Sequence, residues 1–393
     1  MENYPFSFVS ILDNDFYKFT MQCAVIKLYP SAMAHYEFIN RGQHAFPEGF
    51  GVELRKHIDA MAGLQLTKQE KEFLRVNCPY INPAYLDFLQ GYHYDPSEVT
   101  IKQEGAQVTV DVNGYWYRTI LWEIPILSLI SELYYKMSHL ERVSDEEIIA
   151  RTDEKMSLYK DLNITVAEFG TRRRHSYEVH RKVMQALMKF KGEGFVGTSN
   201  VHLSMLHGMK PIGTHAHEWF MFHAAKYGFK IANSIGLGRW VDVYQGDLGI
   251  ALTDTYTTDV FFKQFDKLYA KLFDGVRHDS GDPIEFAQKT IDHYHSMGIN
   301  PLYKTIVFSD ALNPEKVKTI TEYCKGKVGF SFGIGTDLTN DTGLRPMNIV
   351  MKLLKVKTLH HDWTETVKLS DERGKYTGDP KMINLAKEIL NID

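Results

Sequence analysis

From residue 164 onward the chain repeats one unit: a short apolar run, a polar or glycine-bearing end, and a segment with helical periodicity. The runs are 164–171, 195–200, 211–217, 250–256, 275–282, 305–312 and 327–335, seven in all. One strand per unit, each followed by a helix, leaves successive strands parallel, in a sheet that is either open and doubly wound or closed as a barrel. The helices carry apolar stripes at the right spacing, Val179, Val183, Ala186, Leu187 and Phe190 on one, Phe261, Phe265, Leu268 and Leu272 on another. Asp282-Pro283 and Asn313-Pro314 each supply a capping side chain followed by proline at the first helical position.

A barrel has the better claim, because polar residues gather at the C-terminal end of nearly every run, where barrels build their sites. They are Glu168 and Arg172 to Arg174; Thr198, Ser199 and Asn200; His215 and His217; Asp254 and Thr255; Arg277, His278, Asp279, Ser280 and Asp282; Ser309 and Asp310; Thr336 and Asp337. Recurrence at the same place in successive units points to one active-site mouth rather than unrelated polar turns. Ahead of this array the chain is richer in β signals. Residues 34–41, AHYEFINR, alternate as a half-buried strand does, and Val108 to Val112 alternate again before Asn113-Gly114, a strong hairpin signal, with 115–121 as the returning strand. Residues 126–160 then read as helical, and 10–21 as a turn entering a helix capped by Asp13, Asn14 or Asp15.

A length of 393 residues suits two domains, or a barrel with a companion. With 45 basic and 49 acidic residues the net charge is −4, so no overall field draws nucleic acid, and an anionic ligand must be met by local arginines. Cys23, Cys78 and Cys324 have neither metal-ligand nor redox spacing. The stretch around 120–130 is interrupted by Glu123 and Pro125 before it could span a membrane, and the N-terminus lacks a signal-peptide pattern. A cytoplasmic protein without membrane contact is expected.

Pro211 to Phe220, PIGTHAHEWF, places two imidazoles where an apolar run gives way to a helix. In a strand His215 and His217 would share a face and could enter one cavity; alternatively both are satisfied by backbone in an ordinary turn. Gly333 to Asp341, GIGTDLTND, joins glycines to small hydroxyl side chains after the last run, where barrels often hold phosphate. Arg172, Arg173, Arg174 and Arg277 add forked donors suited to phosphate or carboxylate, although at least one of the consecutive three should serve structure alone. Asp254, Asp279 and Asp310 could hold ribose hydroxyls or waters on Mg²⁺. The residues by themselves therefore indicate an enzyme acting on a phosphorylated substrate.

DFYKFTM at 15–21, EFGTRRR at 168–174, GTSN at 197–200, GTHAHEW at 213–219, DTY at 254–256, RHDSGDP at 277–283, FSDALNP at 308–314 and FGIGTDLTND at 332–341 together resemble nicotinate phosphoribosyltransferase. The resemblance implies an irregular, incomplete α/β barrel (161–345) beside an α+β domain built from residues 1–160 and a tail, 346–393, that packs back on it. It implies transfer of phosphoribose from phosphoribosyl pyrophosphate to nicotinate, with ATP hydrolysis coupled through a phosphohistidine, Mg²⁺ carried by the substrate phosphates, and a homodimer with shared active sites.

By that resemblance His217 is the phosphorylated histidine, with Glu218 beside it, and Asp254 and Asp279 hold the ribosyl portion. Phe169 covers one face of the pyridine, Tyr17 of the other subunit covers the opposite face, and Arg277 meets the carboxylate. Gly333, Gly335 and Thr336 take the 5′-phosphate, and Arg172, Thr198, Asn200, Ser309 and Asp310 complete the substrate-binding set. Ser199 stands where the related nicotinamide enzymes carry aspartate, and the absence of a carboxylate there is expected to favour the acid over the amide. His215 receives no role. Two other readings of the residues compete: a metal-dependent amidohydrolase with both histidines on zinc, and a non-catalytic phosphometabolite-binding barrel.

Overall fold

The computed structural model describes residues 5–392. Strand β1 (Met33–Asn40) buries Ala34, Tyr36 and Phe38 on one face, as its alternation requires. It pairs antiparallel with β3 (Gln107–Tyr115), which pairs in turn with β2 (Val99–Glu104). The expected hairpin at Asn113-Gly114 is corrected. Both residues lie within β3, opposite His35 and Ala34 of β1, and the tight turn is at Gly105, whose φ is 57°. Trp116 N donates to Ala32 O and starts a short helix, so 115–121 is not a returning strand. Pairing with β1 on the far side holds the Asn-Gly pair extended and overrides its local turn preference.

The other side of β1 is taken by β10 (Ile349–Thr358), which pairs with β11 (His361–Glu365), giving the order β11-β10-β1-β3-β2. Residues from both ends of the chain thus share one antiparallel sheet.

The second sheet is parallel, in the order β5-β4-β9-β8-β7-β6. Its strands are β4 (Val166–Glu168), β5 (Phe195–Thr198), β6 (Ile250–Leu252), β7 (Gly275–His278), β8 (Thr305–Phe308) and β9 (Gly329–Ile334). Six of the expected runs are therefore strands, and the seventh, 211–217, is not. It lies in the gap between the edge strands β5 and β6. Ile212 N donates to Thr198 O at 3.0 Å, Thr214 Oγ1 to Ile250 O at 3.0 Å, and Leu252 N to His215 Nε2 at 3.2 Å. Pro211 has no N–H for a ladder, and the helix Phe16–Leu28 presses on Gly213, where a Cβ would come within 3.0 Å of Tyr17 N. This helix covers the gap from outside, with Phe16 N donating to Ser199 O at 2.8 Å and Thr20 Oγ1 to Thr214 O at 2.6 Å. The α/β barrel is incomplete for this reason, and the N-terminal segment finishes it.

Two buried charged groups fasten the strand ends. The Arg174 guanidinium grips Asp13 through two bonds of 2.7 and 2.8 Å, both side chains fully buried. Glu168 accepts from Thr198 Oγ1 and Thr339 Oγ1 at 2.6 Å each and lies 2.9 Å from His180 Nε2, so it joins β4 to β5 and to the turn after β9. Burial works to raise its pKa, but His180 and the two hydroxyls outweigh it and bring it down to about 2. A carboxyl depressed on folding stabilises the native state above its unfolded pKa and loses that contribution as pH falls toward the folded value. Glu168→Gln should therefore flatten the acid limb of the stability curve between about pH 4.5 and 2, removing roughly 3 kcal/mol of pH-dependent stability. Urea unfolding across that range checks it; an unchanged limb would mean Glu168 is not ionised in the fold.

Candidate active site

His217 opens the helix His217–Tyr227, directly after the segment that bridges the barrel gap. Its Nδ1 lies 3.1 Å from Thr255 Oγ1, and its Nε2 lies 2.9 Å from Lys368 Nζ, 3.1 Å from Asp279 Oδ2 and 3.8 Å from Asp254 Oδ1. Burial, reinforced by Lys368 and opposed by Asp254 and Asp279, lowers its pKa. The ring is thereby neutral near pH 7, with a lone pair on one nitrogen and the proton on the other. Lys368 donating to Nε2 puts the ring proton on Nδ1, toward Thr255, while Asp279 is close enough to accept a proton placed on Nε2 instead.

The two aspartates are held differently. Asp254 is buried, takes one bond from Ser280 Oγ at 2.7 Å, and its Oδ1 has no hydrogen-bond partner among the described residues. Asp279 accepts from Ser309 Oγ at 2.7 Å and pairs with Arg277 at 3.1 Å. Burial would raise the Asp279 pKa, but Arg277, His217 and Lys368 hold it well below the carboxylate range. Ligand atoms of His217, Asp254 and Asp279 lie within 4.8 Å of one another, and an orphaned buried carboxylate oxygen among them suits a hard divalent cation. The zinc reading with two histidines does not survive: His215 is buried, its Nε2 is taken by Leu252 N, and its ring packs edge-on to Phe220 and Trp240. His215 is a structural group of the gap, its pKa lowered by burial to about 3.

At the end of β4 the Phe169 ring packs against Gly333, where a Cβ would come within 2.2 Å of Phe169 Cε2, so only glycine lets the ring seat there. Gly335 and Thr336 follow, with Thr336 opening a single helical turn. Tyr17 is half-buried near Arg172; burial, Glu123 and Asp15 raise its phenol pKa while Arg172 opposes. The helix that carries Tyr17 is bound into the barrel gap of its own chain. Asp310 is held by Lys375 at 3.1 Å.

Four further expectations change. Glu218 points away from His217, accepting from Lys18 Nζ, from Tyr36 OH at 3.2 Å and from Trp116 Nε1 at 3.2 Å. Thr198 is fully buried on Glu168. Asn200 is fully buried too, donating to Asp13 at 2.7 Å and capping the next helix through Leu203 N. These three hold the frame rather than line the mouth. Ser199 Oγ donates to Asp15 Oδ1 at 2.7 Å, so the place expected to lack a carboxylate has one beside it, supplied by the N-terminal segment. Burial raises the Asp15 pKa despite bonds from Ser199 and Thr171.

The mouth is also walled by cations, of which the sequence reading named Arg172 and Arg173 but passed over Arg41, Lys352 and Lys368. Arg41 follows β1, Lys352 lies on β10, Lys368 follows β11, and Arg172 and Arg173 follow β4, so both sheets contribute. Arg41, Arg173 and Lys352 have no acidic partner within 4.0 Å among the described residues, and Arg172 has only Glu123 at 3.6 Å. Burial, then Arg172 and Arg41, lowers the Arg173 pKa to about 10; burial, then Arg41 and Lys368, lowers that of Lys352 to about 8. A base depressed on folding costs stability while it is charged in both states, and the cost fades as pH rises from the folded to the unfolded pKa. Lys352→Met should raise the melting temperature at pH 7, with the gain vanishing near pH 10.5, and should weaken inorganic pyrophosphate binding about tenfold by calorimetry. Lower stability together with unchanged pyrophosphate affinity would show that this lysine serves the fold.

Residues 164–393 match the Nicotinate phosphoribosyltransferase (NAPRTase) family, and residues 12–131 match its N-terminal domain. The chain is 59% identical over 381 residues to the nicotinate phosphoribosyltransferase of Chromohalobacter salexigens, covering 97% of this chain and 98% of that one. It superposes on the crystal structure of the Porphyromonas gingivalis nicotinate phosphoribosyltransferase with a TM-score of 0.95 at 47% identity, covering 98% and 100% of the two chains. A putative nicotinate phosphoribosyltransferase from Saccharomyces cerevisiae superposes with a TM-score of 0.94 at 34% identity, covering 100% of each. The fold is thus shared with these proteins over nearly the whole chain, and the chain belongs to the nicotinate phosphoribosyltransferase family.

Proposed function

We propose that the protein joins nicotinate to the ribose of phosphoribosyl pyrophosphate, releasing pyrophosphate and forming nicotinate mononucleotide, and that ATP drives the reaction through phosphorylated His217. The observation that carries this reading is a neutral histidine facing Asp254, Asp279 and Lys368, beside a wall of cations with almost no acidic partners. Such a wall suits a di- or triphosphate, and the neutral imidazole suits nucleophilic attack on a phosphorus.

In this reading one nitrogen of His217 attacks the γ-phosphorus of ATP, the bond from that phosphorus to the β,γ-bridging oxygen breaks and ADP leaves, while Asp279 or Thr255 holds the proton on the other nitrogen; water later hydrolyses the phosphohistidine and releases phosphate. Arg173, Lys352 and Lys368 hold phosphate oxygens, and Arg172 stands next to Tyr17 at the pyridine. Phe169 and Tyr17 sandwich the pyridine, and Arg277 leaves Asp279 to meet the substrate carboxylate. Asp254 and Asp279 stabilise positive charge developing on the ribose as the pyrophosphate departs. Mg²⁺ would neutralise phosphate charge, with the Asp254 and Asp279 carboxylates the protein groups suited to it. One chain supplies Tyr17, Phe169, Arg172 and His217, so a homodimer would pair complete sites rather than share them. Among the described residues no helix is long and apolar enough to cross a membrane, and the three cysteines are free thiols, which fits a reducing cytosol.

His217→Asn tests the coupling. The variant should keep a slow, ATP-independent synthesis of mononucleotide from nicotinate and phosphoribosyl pyrophosphate but lose all stimulation by ATP and all acid-labile label from γ-labelled ATP. Undiminished label in the variant would place the phosphoryl acceptor elsewhere.

A further inference from the structure

Lys18 is the most thoroughly enclosed ammonium group in the molecule, with none of its side chain exposed, and it lies outside the mouth itself. Its Nζ touches Glu218 Oε2 and lies 2.6 Å from Glu123 Oε2. Each of these carboxylates has a second attachment. Glu218 Oε1 accepts from Tyr36 OH and Trp116 Nε1, and Glu123 Oε1 faces Arg172 Nη1 at 3.6 Å. Glu218 is the neighbour of His217 on the first turn of its helix, and Lys18 is the neighbour of Tyr17 on the helix that covers the barrel gap. One ammonium therefore links the backbone carrying His217, the backbone carrying Tyr17, and the carboxylate against which Arg172 rests.

A buried lysine between two carboxylates is an expensive arrangement, and a well-packed apolar group would often serve stability as well. Its persistence calls for a use. The two ends of the link lie in different parts of the proposed reaction: His217 receives the phosphoryl group, while Tyr17 and Arg172 face the pyridine. Phosphorylation brings about two negative charges to the first turn of the His217 helix, and any shift of that turn acts on the Glu218 carboxylate. Because Glu218 is pinned to Lys18, the shift passes to Tyr17 and, through Glu123, to Arg172.

We propose that Lys18 is a positioning residue that couples the state of His217 to the pyridine pocket, so that ATP raises affinity for nicotinate through the Glu218–Lys18–Glu123–Arg172 chain. The proposal rests on the phosphohistidine reading given above. It separates two quantities that a purely structural lysine would move together: transfer of label from ATP to the enzyme, and the effect of ATP on the nicotinate KM.

The experiment uses the full chain as wild type, as Lys18→Met, and as Lys18→Met with Glu218→Gln, the last removing the carboxylate that Lys18 would leave unpaired. Each is assayed for acid-labile label from γ-labelled ATP and for the nicotinate KM with and without ATP, with a melting curve alongside. In the wild type ATP should lower the nicotinate KM. In the double variant, and in Lys18→Met where it folds, label incorporation should stay within about twofold of wild type, while the KM reduction by ATP shrinks at least fivefold. A folded variant that keeps the full KM reduction overturns the proposal. Loss of label together with the KM effect also overturns it, since Lys18 would then merely hold His217 in place. A wild type that takes no label, or shows no ATP effect, overturns the coupling reading itself and is seen before any variant is compared.

Discussion

Six parallel strands with a gap between β5 and β6 leave two edges with backbone groups that need partners away from water, and the rest of the structure answers to that constraint. A seventh strand would close the barrel, but Pro211 lacks a donor and the segment 211–217 makes one bond to the β5 edge and two, both through side chains, to the β6 edge. The remaining cover comes from the opposite end of the sequence. The helix Phe16–Leu28 lies over the gap, and seating it there sets Asp15 beside Ser199 and Tyr17 beside Arg172, with Asp13 and Lys18 buried behind them. The contact that completes the barrel thus also seats Asp15 and Tyr17 against Ser199 and Arg172.

The charged groups divide along the same line. Where their role is to hold the frame, they are buried and saturated: Asp13 on Arg174, Glu168 under two hydroxyls and a histidine, Lys18 between two carboxylates. Where their role is chemical, they are left wanting. Asp254 keeps a bare oxygen, and Arg41, Arg173 and Lys352 face one another without counter-ions, a cost that a polyphosphate would offset. Saturation separates Glu218 from His217 more clearly than their adjacency in the chain unites them.

Much of this was legible in the sequence. Periodicity located six of the parallel strands, and the polar residues at their ends marked the mouth, because strand ends in such sheets converge whatever the details of packing. The failures share a cause. Asn113-Gly114 is a good local turn overruled by pairing with β1, and Thr198, Asn200 and Glu218 have the chemistry of site residues but are claimed by partners far away in sequence. Lys352 and Lys368 were invisible because nothing local reveals that β10 joins β1 or that the tail beyond β11 reaches His217. The place of Tyr17 was given by resemblance alone, since nothing in the sequence around it reveals that its helix covers the barrel gap.

The account stands or falls on where the pyridine goes, and a crystal structure with nicotinate mononucleotide bound reads this directly. The ring should lie between Phe169 and Tyr17 of one and the same chain, with its carboxylate on Arg277 and its 5′-phosphate at Gly333 to Thr336. A ring bound elsewhere, or covered by Tyr17 of a neighbouring chain, would contradict the view that closing the barrel gap and building the site are one event.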